Sequence, residues 1–223
     1  MYTPDLDTFC AMARRGNLIP VARQILADME TPVSAFRKID SGNYAFLLES
    51  VEGGEKWGRY SFLGSNPSLV FRAKGSHLEV LRGEGREVLT DTQDPLVGLS
   101  RLLSRYQAVR APELPRFTGG MVGYLSYDIV RHLERLPVQA KDDLGLPDAL
   151  FLMTDTLLIF DNVTHRITVV SNAIVQDDTS AGVERAYREA QQKIDAIIAA
   201  LRRPMGAPVG RSTRLGSQPF ESN

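Results

Sequence analysis

Apolar residues along this chain recur either every three to four positions or in short unbroken runs, which are the marks of amphipathic helices and of strands. Leu6, Phe9, Met12 and Ala13 have helical spacing, with Thr3 as the expected N-cap, Pro4 at the first helical position and Gly16 as the stop. Thr31-Pro32 repeats that signal and predicts a second helix to about Lys38. Asp94-Pro95 opens a third, on which Leu96, Leu99, Leu102, Leu103 and Tyr106 form one stripe. The longest periodic stretch runs from about Thr179 to Arg202, where Val183, Ala186, Tyr187, Ala190, Ile194, Ile197 and Ile198 share a face.

Between these lie the strand candidates. The stretch from Asn17 to Leu26 reads as a strand or a short helix, and Pro20 permits an edge position while arguing against a central one. NYAFLLES, Asn43 to Ser50, has the composition of a buried strand. Gly58 to Gly64, Ser68 to Ala73 and His77 to Arg82 follow at close spacing, separated by turn residues, and predict an antiparallel meander. Leu150 to Phe160 and His165 to Asn172 form a predicted hairpin across Asp161-Asn162-Val163-Thr164. The glycines of FTGGMVGYLSY, Phe117 to Tyr127, fit neither a dinucleotide nor a P-loop spacing, and a tight crossing of two backbones is the better reading. The pattern predicts an α+β fold of antiparallel sheets flanked by helices. One domain is expected over 1–203. Residues 204–223 carry three Pro, three Gly and three Ser without periodicity, and read as a linker toward a further domain.

Composition narrows the function classes. The 223 residues carry 26 Lys+Arg against 27 Asp+Glu, a net charge of −1, which removes the electrostatic drive for nucleic-acid binding. No apolar run has the length of a membrane span, and MYTPDLDTF is no signal peptide, so a cytoplasmic location is expected, with neither nucleic acid nor membrane as a partner. Cys10 alone makes no internal disulfide, and the three histidines are far apart, so no zinc spacing exists. GxSxG, P-loop and HExxH motifs are absent, and no catalytic or metal-binding residue is identified in this chain. One patch stands out. Leu48, Glu49 and Ser50 end an apolar strand with a carboxylate and a hydroxyl, and Arg59 offers a donor fork from the next strand. Acceptors for an ammonium, a cation for a carboxylate and apolar walls suit a zwitterionic, partly aromatic ligand. Glu49 and Ser50 capping a turn is the plainer account of the same residues.

LLESVEGGEKWGRYSFLGSNP, Leu47 to Pro67, and FTGGMVGYLSYDIVRHLERLP, Phe117 to Pro137, resemble the amino-terminal half of anthranilate synthase component I. The similarity continues through LFLMTDTLLIFDNVTHRITVVSN and into QPFESN at the end of the chain. This resemblance implies a layered fold in which both halves of the subunit contribute to two packed sheets. It implies conversion of chorismate and glutamine-derived ammonia to anthranilate and pyruvate, the first step of tryptophan biosynthesis, with a glutamine amidotransferase subunit as partner. The Mg²⁺ ligands and acid/base groups belong to the family's carboxy-terminal half, so this chain is expected to bind no cofactor and to be inactive alone. The tryptophan feedback site begins at the LLES motif, which maps onto Leu47, Leu48, Glu49 and Ser50, and a basic residue of the next strand is placed at Arg59. The corresponding half of aminodeoxychorismate synthase component I, in folate synthesis, is the nearest alternative within the family. A stand-alone amino-acid-binding sensor module is the alternative outside it.

Overall fold

The computed structural model describes residues 1–40, 42, 44–49, 58–137 and 141–204. Along the described residues the elements are α1 (Leu6–Ala13), β1 (Leu18–Leu26), α2 (Pro32–Ile39), β2 (Ala45–Leu48), β3 (Tyr60–Ser65), β4 (Leu69–Lys74), β5 (His77–Arg82), β6 (Gly85–Leu89), α3 (Pro95–Leu103), β7 (Gly120–Leu125), β8 (Ala149–Thr154), β9 (Thr156–Asp161), β10 (Arg166–Ile174) and α4 (Ser180–Leu201); a short 3₁₀ turn covers Tyr127–His132. Among the described residues, ten strands make two antiparallel sheets, ordered β1-β10-β9-β3-β2 and β6-β5-β4-β8-β7. The fold is α+β.

Each helix starts where a side chain can accept an orphan backbone N–H. Asp94 caps α3 by accepting from the N–H of Leu96 and Val97, and Thr179 caps α4 by accepting from Gly182. Thr31 and Ser34 form a reciprocal capping box on α2. The expected cap of α1 moves. Asp5 accepts from the Thr8 N–H, and Thr3 instead exchanges backbone hydrogen bonds with Ala22 on the outer edge of β1. A backbone pairing partner far along the chain outcompetes the local cap, and Asp5 is available two residues on.

Helices α1, α2 and α4 cover one face of the first sheet. Phe9, Ala35, Tyr187, Ala190 and Ile194 meet Ile19, Val21, Leu158, Phe160, Ile167 and Val169 there. Phe9 is fully buried, its ring centroid 4.9 Å from that of Tyr187, whose hydroxyl donates to the Pro4 carbonyl at 2.8 Å. Helix α3 covers the second sheet through Leu102, with Leu96 and Leu99 packed beside it, against Phe71, Leu78 and Val80. On the opposite face of that sheet Glu79 is 2% exposed between Arg72 Nη2 and Arg86 Nε, each at 2.5 Å.

Three strand expectations change. The meander breaks between β3 and β4, because β3 pairs with β2 and β9 while β4 pairs with β5 and β8 in the other sheet. The run LFLMTDTLLIF is two strands: β8 pairs with β4 and β7, β9 with β3 and β10, and the chain changes sheets at Asp155. Asp155 is 5% exposed, its carboxylate meets Lys193 Nζ of α4 at 2.7 Å, and its carbonyl accepts the Asn172 N–H. The expected buried strand at 43–50 is the four-residue edge strand β2, half-exposed throughout and open at Leu48; Asn43 and Ser50 lie outside the described residues. The strand β6 follows where only a turn at Gly83-Glu84-Gly85 is legible. Pro20 sits on an edge strand, as its missing N–H requires, and the β9–β10 hairpin forms as expected. Residues 205–223, most of the expected linker, lie outside the described residues.

The glycine-rich segment is the predicted close approach. A Cβ on Gly119 would stand 2.3 Å from Asn172 Nδ2 and 2.7 Å from the Thr154 carbonyl oxygen, so the chain entering β7 passes the β8 backbone and the Asn172 side chain as only glycine allows. Asn172 Nδ2 donates to the Thr118 carbonyl at 2.7 Å and ties the two sheets at this point.

Candidate functional site

The face of the first sheet away from the helices carries the motif residues. Tyr60, Phe62 and Phe117 pack there on Leu157, Ile159 and Val170, with Phe62 and Phe117 edge to face at a 5.2 Å centroid distance. Leu48 lies directly opposite Phe62 in the β2–β3 ladder and therefore on the same face, 47% exposed. Beyond Leu48, β2 is heading toward the Tyr60 end of β3. The exposed Glu49 is the next residue, and Ser50 lies outside the described residues.

Arg59 closes this corner, and it is engaged. Its Nη2 donates to Asp161 Oδ2 at 2.7 Å and its Nε to both carboxylate oxygens at 3.1 and 3.2 Å. The guanidinium also lies 4.9 Å from the Tyr60 ring centroid, a cation–π distance. Asp161 pairs with Tyr60 across β3 and β9, which puts both on the Phe62 face. The backbone N–H groups of Val163 and Thr164 also donate to Asp161 Oδ1. The Arg59 guanidinium, with help from those loop donors, lowers the Asp161 carboxyl from its ordinary range to about 2. Asp161 was legible in the sequence only as a turn residue, and the apolar platform of Tyr60, Phe62 and Phe117 was not legible as a unit. An acidic residue closing an apolar strand, with an arginine before another, was the available signal for the pair.

Leu48, Tyr60, Phe62 and the Arg59–Asp161 pair thus share one face of the first sheet, while Glu49, one residue past the end of β2, is exposed. A separate cavity of about 270 Å³ lies between β10 and α4, where Asp177, Arg185, Glu189 and Lys193 are among the lining residues. Arg185 pairs there with Asp177 at 3.6 Å and Lys193 with Asp155, and the cavity is lined by none of Leu48, Glu49 and Arg59. No helix among the described residues is long and apolar enough to cross a membrane.

Residues 44–214 match the model of the chorismate binding enzyme family. The chain belongs to that family. It is 40% identical over 199 residues to anthranilate synthase component 1 of Acetivibrio thermocellus, covering 88% of this chain and 39% of that protein. The Pseudomonas putida protein of the same name is 40% identical over 203 residues, covering 89% of this chain and 40% of its own length. The crystal structure of anthranilate synthase component I from Streptococcus pneumoniae has the same fold, with a TM-score of 0.54 at 24% identity over 82% of this chain and 37% of that one. The chain therefore spans about two fifths of the length of the relatives that it matches.

Proposed function

We propose that this chain is the regulatory portion of an anthranilate synthase component I. It would carry part of a tryptophan feedback site at Leu48, Glu49, Ser50 and Arg59. The identity of 40% with proteins of that name, across nearly the whole chain, carries this reading. The corner described above supports it, since Leu48 and the aromatic residues present an apolar wall for an indole and the Arg59 guanidinium over Tyr60 is a cation for a carboxylate; Glu49 is the proposed acceptor for the ammonium. Conversion of chorismate and ammonia to anthranilate and pyruvate is assigned to the intact subunit, with Mg²⁺ and the acid/base groups in the three fifths of the relatives' length that this chain does not match. A glutamine amidotransferase subunit is the ammonia source in this reading.

Leu48 is 47% exposed, so the wall that the described residues make leaves part of an indole wet. An indole left half wet forfeits about 25 cal/mol per Å² of exposed apolar area, so a one-walled site loses ~3 kcal/mol, or about a hundredfold in affinity. Tryptophan should bind this chain alone in the high-micromolar to millimolar range, and Ser50→Phe should abolish it. Chorismate, ammonium and Mg²⁺ added to the pure chain should yield no anthranilate fluorescence. Low-micromolar tryptophan binding would favour a self-contained amino-acid sensor, and turnover above background would end the division of labour proposed here.

A further inference from the structure

The Arg59 guanidinium uses only part of its donor set. Nε and one Nη2 hydrogen form a side-on fork with Asp161, while Nη1 has no partner among the described residues. A guanidinium held side-on by one carboxylate keeps its terminal edge, Nη1 and the second Nη2 hydrogen, for another planar anion. Asp161, by contrast, is saturated. Its two oxygens already accept from Arg59 Nε, Arg59 Nη2, Val163 N and Thr164 N, which fills the roughly four acceptor positions of a carboxylate. It has no capacity left for a ligand ammonium.

We infer that Asp161 is a positioning residue, holding Arg59 so that the terminal edge of its guanidinium meets the carboxylate of an amino-acid effector seated on the Tyr60–Phe62 face. This rests on the tryptophan-site reading above and adds to it a residue that touches no ligand. The geometry favours it over a simple loop staple. Staple contacts to Val163 and Thr164 need only one oxygen, Oδ1, whereas the second oxygen is directed wholly at Arg59. Arg59 is 41% exposed at its side chain, so without Asp161 it would sample many rotamers in water, and each binding event would have to order it again.

The test is ligand-observed NMR titration of the chain with L-tryptophan and with tryptamine, which lacks the carboxylate. Wild type, Asp161→Asn, Arg59→Ala and the double variant are compared. Asparagine keeps an oxygen for the Val163 and Thr164 N–H groups, so the hairpin is retained, and thermal melts check it. Asp161→Asn should weaken L-tryptophan about fivefold and leave tryptamine within about twofold. The double variant should match Arg59→Ala. Equal weakening of both ligands, additive losses in the double variant, or tighter tryptophan binding in Asp161→Asn would each overturn the positioning role. If Arg59→Ala erases the preference for tryptophan over tryptamine and Asp161→Asn does not, the effector site stands and the role of Asp161 falls. A wild-type chain without that preference would overturn both.

Discussion

Gly123→Ala should destabilise the protein by about 3 kcal/mol, although it adds one methyl group to an exposed residue of an edge strand. A Cβ there would stand 1.9 Å from the Leu150 carbonyl oxygen and 2.7 Å from the Phe151 Cα, both backbone atoms of β8. Neither can swing aside as a side-chain tip would, so β7 must retreat by roughly 1 Å or more to reach van der Waals distance. The β7–β8 ladder runs from Gly120↔Thr154 to Leu125↔Ala149, with Gly123 opposite Phe151 near its centre. Opening that centre breaks two or three ladder hydrogen bonds, each worth about 1 kcal/mol net, which gives the figure of ~3 kcal/mol. In a domain of this size the melting temperature should fall by about 6–12 °C. Gly83→Ala is the control. Gly83 has φ +55° and open space around it, so the substitution carries only left-handed backbone strain, roughly 1–2 kcal/mol. Urea unfolding followed by circular dichroism ranks the two, and amide exchange of β8 locates the damage. Gly123→Ala within about 0.5 kcal/mol of wild type, with β8 amides as protected as before, would refute the steric argument.

Two other perturbations follow from the ion pairs. Lys193→Met removes the partner of the buried Asp155 carboxylate at the sheet crossing; because Lys193 is half exposed, the loss should be about 1–3 kcal/mol rather than the full cost of a buried orphan charge. Asp155→Asn in the Lys193→Met background should recover part of it in urea unfolding, and no recovery would show that the carboxylate was never uncomfortable. Asp161 has its folded pKa lowered to about 2, so the stability it contributes is present above the ordinary carboxylate range and is lost as pH falls from about 4 toward 2. Arg59→Ala should lower the urea midpoint at pH 6–7, and the gap to wild type should close as the pH falls toward 2. A gap that stays constant down to that pH would mean that Arg59 acts through something other than Asp161.

Where the governing physics is local, the sequence was sufficient. Thr31-Pro32, Asp94-Pro95 and Thr179 each satisfy N–H groups within three residues, and a 3.6-residue apolar stripe has one geometry that buries it, so α2, α3 and α4 stand where the pattern puts them. The LLES and FTGGMVGYLSYD segments likewise carried the family resemblance on their own. Strand partners are a different matter, because a ladder joins residues far apart and periodicity says nothing about which edge is vacant. Nothing in SFLGSNPSLVF shows that β3 and β4 part company at Asn66-Pro67 into different sheets, or that LFLMTDTLLIF crosses between them at Asp155. The Arg59–Asp161 pair spans 102 positions and exists only because β3 lies beside β9. Thr3 shows the same rule in miniature: its local role as a cap yields to a backbone pairing with Ala22 that only the folded edge of β1 can offer. Local hydrogen bonding and amphipathicity fixed the elements, and tertiary pairing alone decided which charged and aromatic groups share a face.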